Sequence, residues 1–546
     1  MIAICAGALT VANYLISPDA VRAQALSEMR AVTGLAPTLR GKTTVRLFPT
    51  GSVSFDDVRL GDAKKPALTA KRLTARLRFF PLLVGRVEIA DVSLVDPTIA
   101  VDLEPNGGSN WSGLIEALAR SQKPDAQRTA AFSEMRIRNG TVVLHDEARK
   151  LKETFNDVAF SLAWPSISKS FGATGRFVWH DEPLDMNVTL ADFAAALAGK
   201  TSGLKLRIAG SPMKAAFEGA VSFKPTLKID GTFAGDAASL RDTLIWAGQK
   251  PLPGGGFGNF AIKAKADVTG GTISLNNVNV ELDGNTAEGV LTFATDGRQT
   301  LQGTLAADTL DLTPYVSTVK LLAANRREWS NGPLALDGLT GTDFDLRLSA
   351  AKVILADAKL GRTAIGANLR NGHLTVTIGE ARAFGGVIKG SLSLADFDEG
   401  ADLKSQLQFS DVDLQSCLGQ LFGLRRLEGK GDITFSVDGT GDSVLGITRT
   451  LNGDAKLTGR KGAIVGFDVA ELLRRLERRP LSAGSDFRTG RTLYDKIAVA
   501  LKIAQGKVSV GRLKIVGPNV DLAMAGSASI PSRDLDLTGT AALVET

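Results

Sequence analysis

The sequence predicts a mainly β protein: an elongated antiparallel sheet, built by repetition, with short interrupting α-helices and an N-terminal membrane helix. Three observations carry this expectation. From about residue 38, apolar and polar residues alternate with a period of two over five to eight positions, the pattern of half-buried strands. Glycine contributes 58 of 546 residues and recurs with Asn and Asp where the alternating runs end, as turns and bulges require. The 44% hydrophobic and 22% charged content belongs to a folded chain, yet His, Tyr and Cys number only three, three and two. Such a chain is rich in turns and poor in catalytic side chains.

Residues 1–16 (MIAICAGALTVANYLI) carry no charge and precede Ser17, Pro18 and Asp19, which break and recap a helix. As a helix they rise about 24 Å against a hydrocarbon core of ~30 Å. A membrane anchor shortened by a late start, a cleaved signal peptide and a buried helix all fit. The missing basic flank and small-x-small site weigh against the signal peptide, so an anchor over residues 1–17 is the expectation. Val21, Ala25, Met29 and Val32 then mark one face of a helix to about Thr33, read as a stalk.

Further on, Ile273 and Leu275 point one way, and Val278, Val280 and Leu282 resume after one extra residue, a phase slip that predicts a β-bulge at Asn276 and Asn277. Val508 and Val510 followed by Leu513 and Ile515 repeat it. Alternation also appears at Phe344, Leu346 and Leu348, at Leu374, Val376 and Ile378, at Ile433, Phe435 and Val437, and at Leu535 and Leu537. Gly271 to Leu312 and Asn371 to Leu414 share one order of strand, strand, strand and short helix, near Tyr315 to Arg327 in the first copy and through Leu418 and Leu421 in the second. Other short helices are expected at Ser112 to Ala119, Asp192 to Leu197, Ala238 to Ala247 and Asp468 to Arg478, with linkers at Ser121 to Ala130 and Pro251 to Gly256. Half the chain in strands of ~8 residues makes roughly 30 strands. A long sheet with an apolar face must either cover that face or use it, and an open one binds apolar ligands.

Cys5 and Cys417 cannot form a disulfide framework or a multi-cysteine zinc site. The net charge of +6 is too diffuse to mark a nucleic-acid surface. His145-Asp146-Glu147 and His180-Asp181-Glu182 repeat one tripeptide, but neighbouring strand residues face opposite ways, so hairpin tips are expected in preference to a metal site. Pro253 to Gly258 is glycine-rich without the Lys of a phosphate cradle, and reads as a connector. No nucleophile elbow, Walker A loop or HExxH pattern occurs, so no catalytic residue, metal ligand or cofactor is nominated. In the Asp468 to Arg478 helix, Val469, Leu472, Leu473 and Leu476 form an apolar stripe, while Arg474, Arg475, Arg478 and Arg479 form a basic tail. That pattern suits either a helix capping the sheet end or contact with a membrane or partner. The five tryptophans lack regular spacing and read as core anchors.

Near the N-terminus, Thr33-Gly34 leads to Leu47-Phe48-Pro49 and to Val53-Ser54-Phe55-Asp56-Asp57-Val58-Arg59-Leu60. Phe80 to Ile89 (FPLLVGRVEI), Leu94 to Pro97 (LVDP) and Asn106 to Trp111 (NGGSNW) follow in order. Near the C-terminus stand Leu451 to Ala455 (LNGDA), Gly462 to Asp468 (GAIVGFD) and Gly517-Pro518. These stretches resemble the AsmA family of inner-membrane-anchored, periplasmic envelope proteins, with a looser match from Phe132 to Ala247.

The resemblance implies a single-pass anchor, a periplasmic β structure curled into a trough, and a role in envelope or outer-membrane lipid homeostasis. It divides the chain into the anchor (1–17), an amphipathic stalk (18–37), an N-terminal β domain (38–120), a middle β region (121–250) and C-terminal β repeats (251–546). The basic residues expected before the anchor are absent, so its orientation rests on the resemblance and not on the charge rule. Alternation alone fits a closed sandwich as well; the resemblance and the anchor favour an open trough. The expected function is non-enzymatic binding of lipid acyl chains along the trough, supporting phospholipid transfer. Candidate lining residues are Ile273, Leu275, Val278, Val280, Leu282, Leu374, Val376 and Ile378, and membrane lipids are the expected partners, with no nucleic acid. The alternative is a scaffold that influences outer-membrane protein assembly.

Overall fold

The computed structural model describes residues 18–46, 51–78, 89–104, 108–120, 134–147, 151–163, 170–223, 226–249, 255–295, 297–315, 329–334, 342–355, 358–397, 400–478 and 489–544. The expected anchor, FPLLVGRV (80–87), the linker at 121–130, Trp164 and most of the helix expected at 315–327 lie outside them. Among the described residues no helix is long and apolar enough to cross a membrane. The chain divides into two compact units, Met1–Ala247 with Ala261–Asn276, and Gly248–Phe260 with Asn277–Thr546.

Unit 1 contains α1 (Pro18–Thr33), β1 (Pro37–Leu39), β2 (Thr43–Arg46), β3 (Ser52–Gly61), β4 (Pro66–Leu77), β5 (Ile89–Leu103), α2 (Ser112–Arg120), β6 (Glu134–Asp146), β7 (Leu151–Ala163), β8 (Phe171–Trp179), β9 (Glu182–Leu190), α3 (Phe193–Leu197), β10 (Ser202–Gly210), β11 (Lys214–Ser222), β12 (Lys228–Ala237), α4 (Leu240–Trp246) and nearly all of β13 (Phe260–Thr269). The boundary falls within β14 (Thr272–Leu282). Unit 2 continues with β15 (Asn285–Ala294), β16 (Thr300–Asp311), β17 (Asp343–Leu355), β18 (Ala358–Leu360), β19 (Thr363–Arg370), β20 (His373–Ala383), β21 (Gly386–Phe397), β22 (Gly400–Asp413), α5 (Leu414–Phe422), β23 (Leu427–Gly441), α6 (Val444–Thr450), β24 (Asn452–Val465), α7 (Val469–Arg478), β25 (Arg491–Ala504), β26 (Lys507–Val516), β27 (Val520–Ser529) and β28 (Asp534–Leu543).

The protein is mainly β, as predicted, but not wholly antiparallel. In unit 1, β5 and β6 run parallel, and in unit 2 so do β16 and β17. Both pairs follow long connections, 104–133 and 312–342, that return the chain to the starting end of the sheet, as parallel pairing demands. The remaining ladders described in each unit are antiparallel, many of them hairpins closed by two-residue turns with positive φ, such as His180-Asp181 and Phe384-Gly385. Both His-Asp-Glu tripeptides sit where expected, at the β6–β7 and β8–β9 tips. The phase slip at Val510/Leu513 is a register shift, and Asn277 takes φ 50° at the predicted bulge. The two repeat copies become β14–β15–β16 and β20–β21–β22, the second followed by α5.

The four short helices predicted at 112–119, 192–197, 238–247 and 468–478 form where their caps stand. Asp192 accepts from Ala195 N at 2.9 Å, Ser239 from Asp242 N at 3.2 Å and Asp468 from Glu471 N at 2.8 Å, while Ser109 precedes the turn into α2. The stripe on α1 is not a free stalk face. Val21, Ala25, Leu26 and Met29 pack with Trp111 against Phe55, Val58, Leu68 and Leu94, closing one part of the unit 1 face. The described tryptophans are anchors: each indole N–H donates to a fixed acceptor, Ala100 O, Glu153 Oε2, Trp179 O and Ile530 O for Trp111, Trp179, Trp246 and Trp329.

In unit 2 the main core lies under α5, where Leu414, Cys417 and Leu418 cover Phe409, Val412 and Ile433. Burial, with the nearby charge of Asp413, pushes the Cys417 thiol up to about 11. Native protein at pH 8 is therefore expected to leave Cys417 unalkylated by iodoacetamide, and denatured protein to modify it fully, read by peptide mass spectrometry.

Candidate functional site

The site is built by strand register. Directly opposed residues of neighbouring strands point to the same side of a sheet, so an alternating strand contributes every second residue to rows that cross the strands. In unit 2 one row runs from Leu291 through Gly303, Leu346, Ala367, Val376, Leu392 and Ser405 to Val437. On one side of it runs a row containing Leu374, Leu394 and Leu403, and on the other a row containing Ile378, Gly390, Leu407 and Phe435. No member of the middle row is charged. It crosses eight strands, β15 to β17 and β19 to β23. At ~4.8 Å per step that is a length on the order of 34 Å.

The reverse face has the opposite chemistry. Thr375 and Ser393 share a hydrogen bond of 3.2 Å there, and Lys404, Gln406 and Thr434 are exposed. The apolar rows are neither dry nor bare. Leu374, Val376, Leu394, Leu403 and Val437 are half-buried, and Leu392 is 43% exposed.

Two helices bound the rows. At one end α5 roofs the sheet, started by Asp413, which accepts from Ser416 N at 2.8 Å, and stopped by Gly423 at φ 73°. At the other end α6, capped by Ser443, lays Ile447 against the backbone at Gly439 and Gly441. Sequence reading missed α6, although Asp442-Ser443 before an apolar run is a start signal. It also passed over Leu392 and Leu394, whose Ser-Leu-Ser-Leu alternation is as regular as that of Leu374 to Ile378.

The predicted lining residues divide. Leu374, Val376 and Ile378 lie together on β20, each in one of the three rows. On β14, Val278 is fully buried, Val280 and Leu282 are half-buried, and Asn276, Asn277, Asn279 and Glu281 are exposed, the alternation expected across a bulge. Val278, Val280 and Leu282 belong to unit 2, whereas Ile273 and Leu275, also half-buried, belong to unit 1. The turn after Leu282 is pinned by Asp283, whose carboxylate accepts from Phe257 N (2.8 Å), Gly258 N (2.7 Å) and Tyr315 Oη (2.6 Å). The bond to Asp283 and partial burial raise the Tyr315 phenol well above its ordinary range, burial being the larger cause.

Unit 1 carries a similar row of its own, from Phe217 through Leu206, Val188, Ala173 and Leu162 to Met135. An open depression of about 470 Å³ also occurs in unit 1, between Thr174, Arg176, Asp185, Asn187 and Arg207, where Arg176 pairs with Asp185 at 3.6 Å.

The predicted arginines lie elsewhere. Helix α7 sits across β25 and β28, with Ala470 buried and Val469 N bonded to Thr492 Oγ1 at 3.1 Å. Arg474, Arg475 and Arg478 are exposed, and Arg479 lies outside the described residues. Arg475 binds Glu471 at 2.9 Å and holds its carboxyl below the usual range, with Arg474 and Arg478 adding to the effect.

The side chains of the middle row are apolar except for the buried hydroxyl of Ser405, so the contact it offers is chiefly apolar. No curated protein and no solved structure matches the chain. The AsmA family model matches residues 2–251 and 256–513, nearly the whole length, so the motifs at the two ends and the β architecture between them have one explanation: the chain belongs to the AsmA family.

Proposed function

We propose that the protein holds lipid acyl chains on the apolar rows of its β units, without chemical turnover, and supports phospholipid transfer and outer-membrane homeostasis. In this reading it is an inner-membrane protein held by residues 1–17, with the bulk of the chain in the periplasm and membrane lipids as its partners. The observation that carries the reading is the continuous, uncharged middle row from Leu291 to Val437, half-buried except for exposed Leu392 and buried Ser405. A monomeric water-soluble protein has no use for so long an apolar stripe left partly open.

Partition supplies the mechanism. Each methylene moved from water onto the rows is worth roughly 0.8 kcal/mol, while a charged headgroup stays in water beyond the edge. The stripe is longer than an acyl chain, which spans about half of a ~30 Å hydrocarbon core, so a chain can shift along it without meeting a charge.

The test is photocrosslinking in cells. Benzoylphenylalanine at Leu392 or Leu394 should yield a lipid adduct by mass spectrometry, and the same group at Thr375, on the reverse face, should not. A protein adduct at Leu392 would favour the scaffold alternative, and the absence of any lipid adduct would sink the proposal.

A further inference from the structure

One end of the unit 2 sheet combines exposed leucine with arginine. There β22 gives way to α5, β23 begins, β24 ends, and α7 leads toward β25. Thr492, which receives the start of α7, shares a strand side with Tyr494, buried in the apolar cluster with Ile497 and Ile515, so α7 lies on the apolar face. The segment after α5 and the start of α7 are tied together: Val465 N donates to Arg426 O at 2.8 Å, and the Arg426 guanidinium lies 5.5 Å over the ring of Phe467, next to the cap Asp468.

In these two linked segments Leu421 is 46% exposed, Leu424 61% and Leu476 37%. Arg425, Arg426, Arg474, Arg475 and Arg478, on the same two segments, are all exposed. The acidic residues of the two segments are fewer, Asp468 capping α7 and Glu471 holding Arg475, with Glu477 the third.

We propose that the α5–β23 segment and α7 form a docking surface for an anionic lipid bilayer, with the leucines entering the headgroup boundary and the arginines facing lipid phosphates. Charge complementarity argues for this occupant. The strongly exposed apolar residues here are leucines, which suit the acyl boundary of a bilayer. The surface would bring a membrane to the α5 end of the apolar rows. The proposal does not need the rows to hold lipid, and the two ideas fail separately.

The experiment is hydrogen–deuterium exchange of the full chain, reading peptides that cover 421–426 and 469–478. Vesicles containing a quarter phosphatidylglycerol in phosphatidylcholine should slow their exchange at about 0.05 M salt, and pure phosphatidylcholine vesicles or about 0.5 M salt should not. Arg474→Gln with Arg478→Gln should weaken the protection in a vesicle titration by on the order of 30-fold, from ~1 kcal/mol per basic residue near the surface. Leu424→Ser should also weaken it, and exchange in β22 to β24 should stay unchanged in every variant. Aspartate at Val376 and Leu392 should leave this protection intact. Equal protection by pure phosphatidylcholine, or full protection in the arginine double variant, overturns the proposal, as does no protection by anionic vesicles.

Discussion

Aspartate at both Val376 and Leu392 is expected to cut the lipid adduct formed from a benzoylphenylalanine at Leu394 at least tenfold, with the circular dichroism spectrum unchanged. Val376 and Leu392 are opposed neighbours in the middle row, one half-buried and the other 43% exposed. Without lipid, two carboxylates there can reach water, so the fold survives. An acyl chain laid over them would strip that water, and the effective penalty is several kcal/mol per buried ion. Val280→Asp on β14 should act in the same direction if that strand contributes. Thr375→Asp, on the reverse face, should change nothing. An undiminished adduct in the double variant would show that lipid does not lie across the middle row.

Loss of the Tyr494 ring should produce the largest stability change in unit 2. Tyr494 is 2% exposed, its hydroxyl donates to the carbonyl of Glu428, and its ring covers Gly462, where a Cβ would come within 2.6 Å of the ring carbon Cζ. Ile497, Ile515 and Leu427 pack around it. Tyr494→Ala removes a filled aromatic site and should cost about 3–5 kcal/mol, read as a lower urea midpoint for unit 2. Gly462→Val should be severely destabilising for the converse reason, overpacking.

The same residue sets a pH window. Burial, and then the charge of Glu428, pushes the Tyr494 phenol up from its ordinary value to about 12. The unfolded chain therefore releases this proton first, so the contribution is intact below pH ~10 and is lost as pH rises toward ~12. Tyr494→Phe keeps the packing, loses one hydrogen bond worth about 1 kcal/mol, and should abolish this residue's share of the alkaline decline. A wild-type stability that stays flat from pH ~10 to ~12 would contradict the buried phenol.

Local chemistry made much of the fold legible. The bulge at Asn277, the helix starts at Ser239 and Asp468, and the hairpin tips at His145 and His180 follow from residues close in sequence, because φ preference and capping act within a few positions. Pairing was not legible in the same way. Leu374, Val376 and Ile378 announce an apolar side of one strand, but nothing in them says that Leu392 and Ala367 lie opposite Val376. The parallel pairs β5–β6 and β16–β17 were missed because alternation is blind to direction, although the long connections before β6 and β17 are what parallel pairing needs.

The sequence by itself determined a β-rich chain with one apolar side per strand, its turns and caps, and the family motifs at both ends. Those properties depend on each residue and its near neighbours. Only the tertiary structure decided which strands lie side by side, how their apolar residues align into uncharged rows, and where α5 and α6 cover them. Register and roofing arise from contacts between residues tens to hundreds of positions apart, whose free energy no single strand carries.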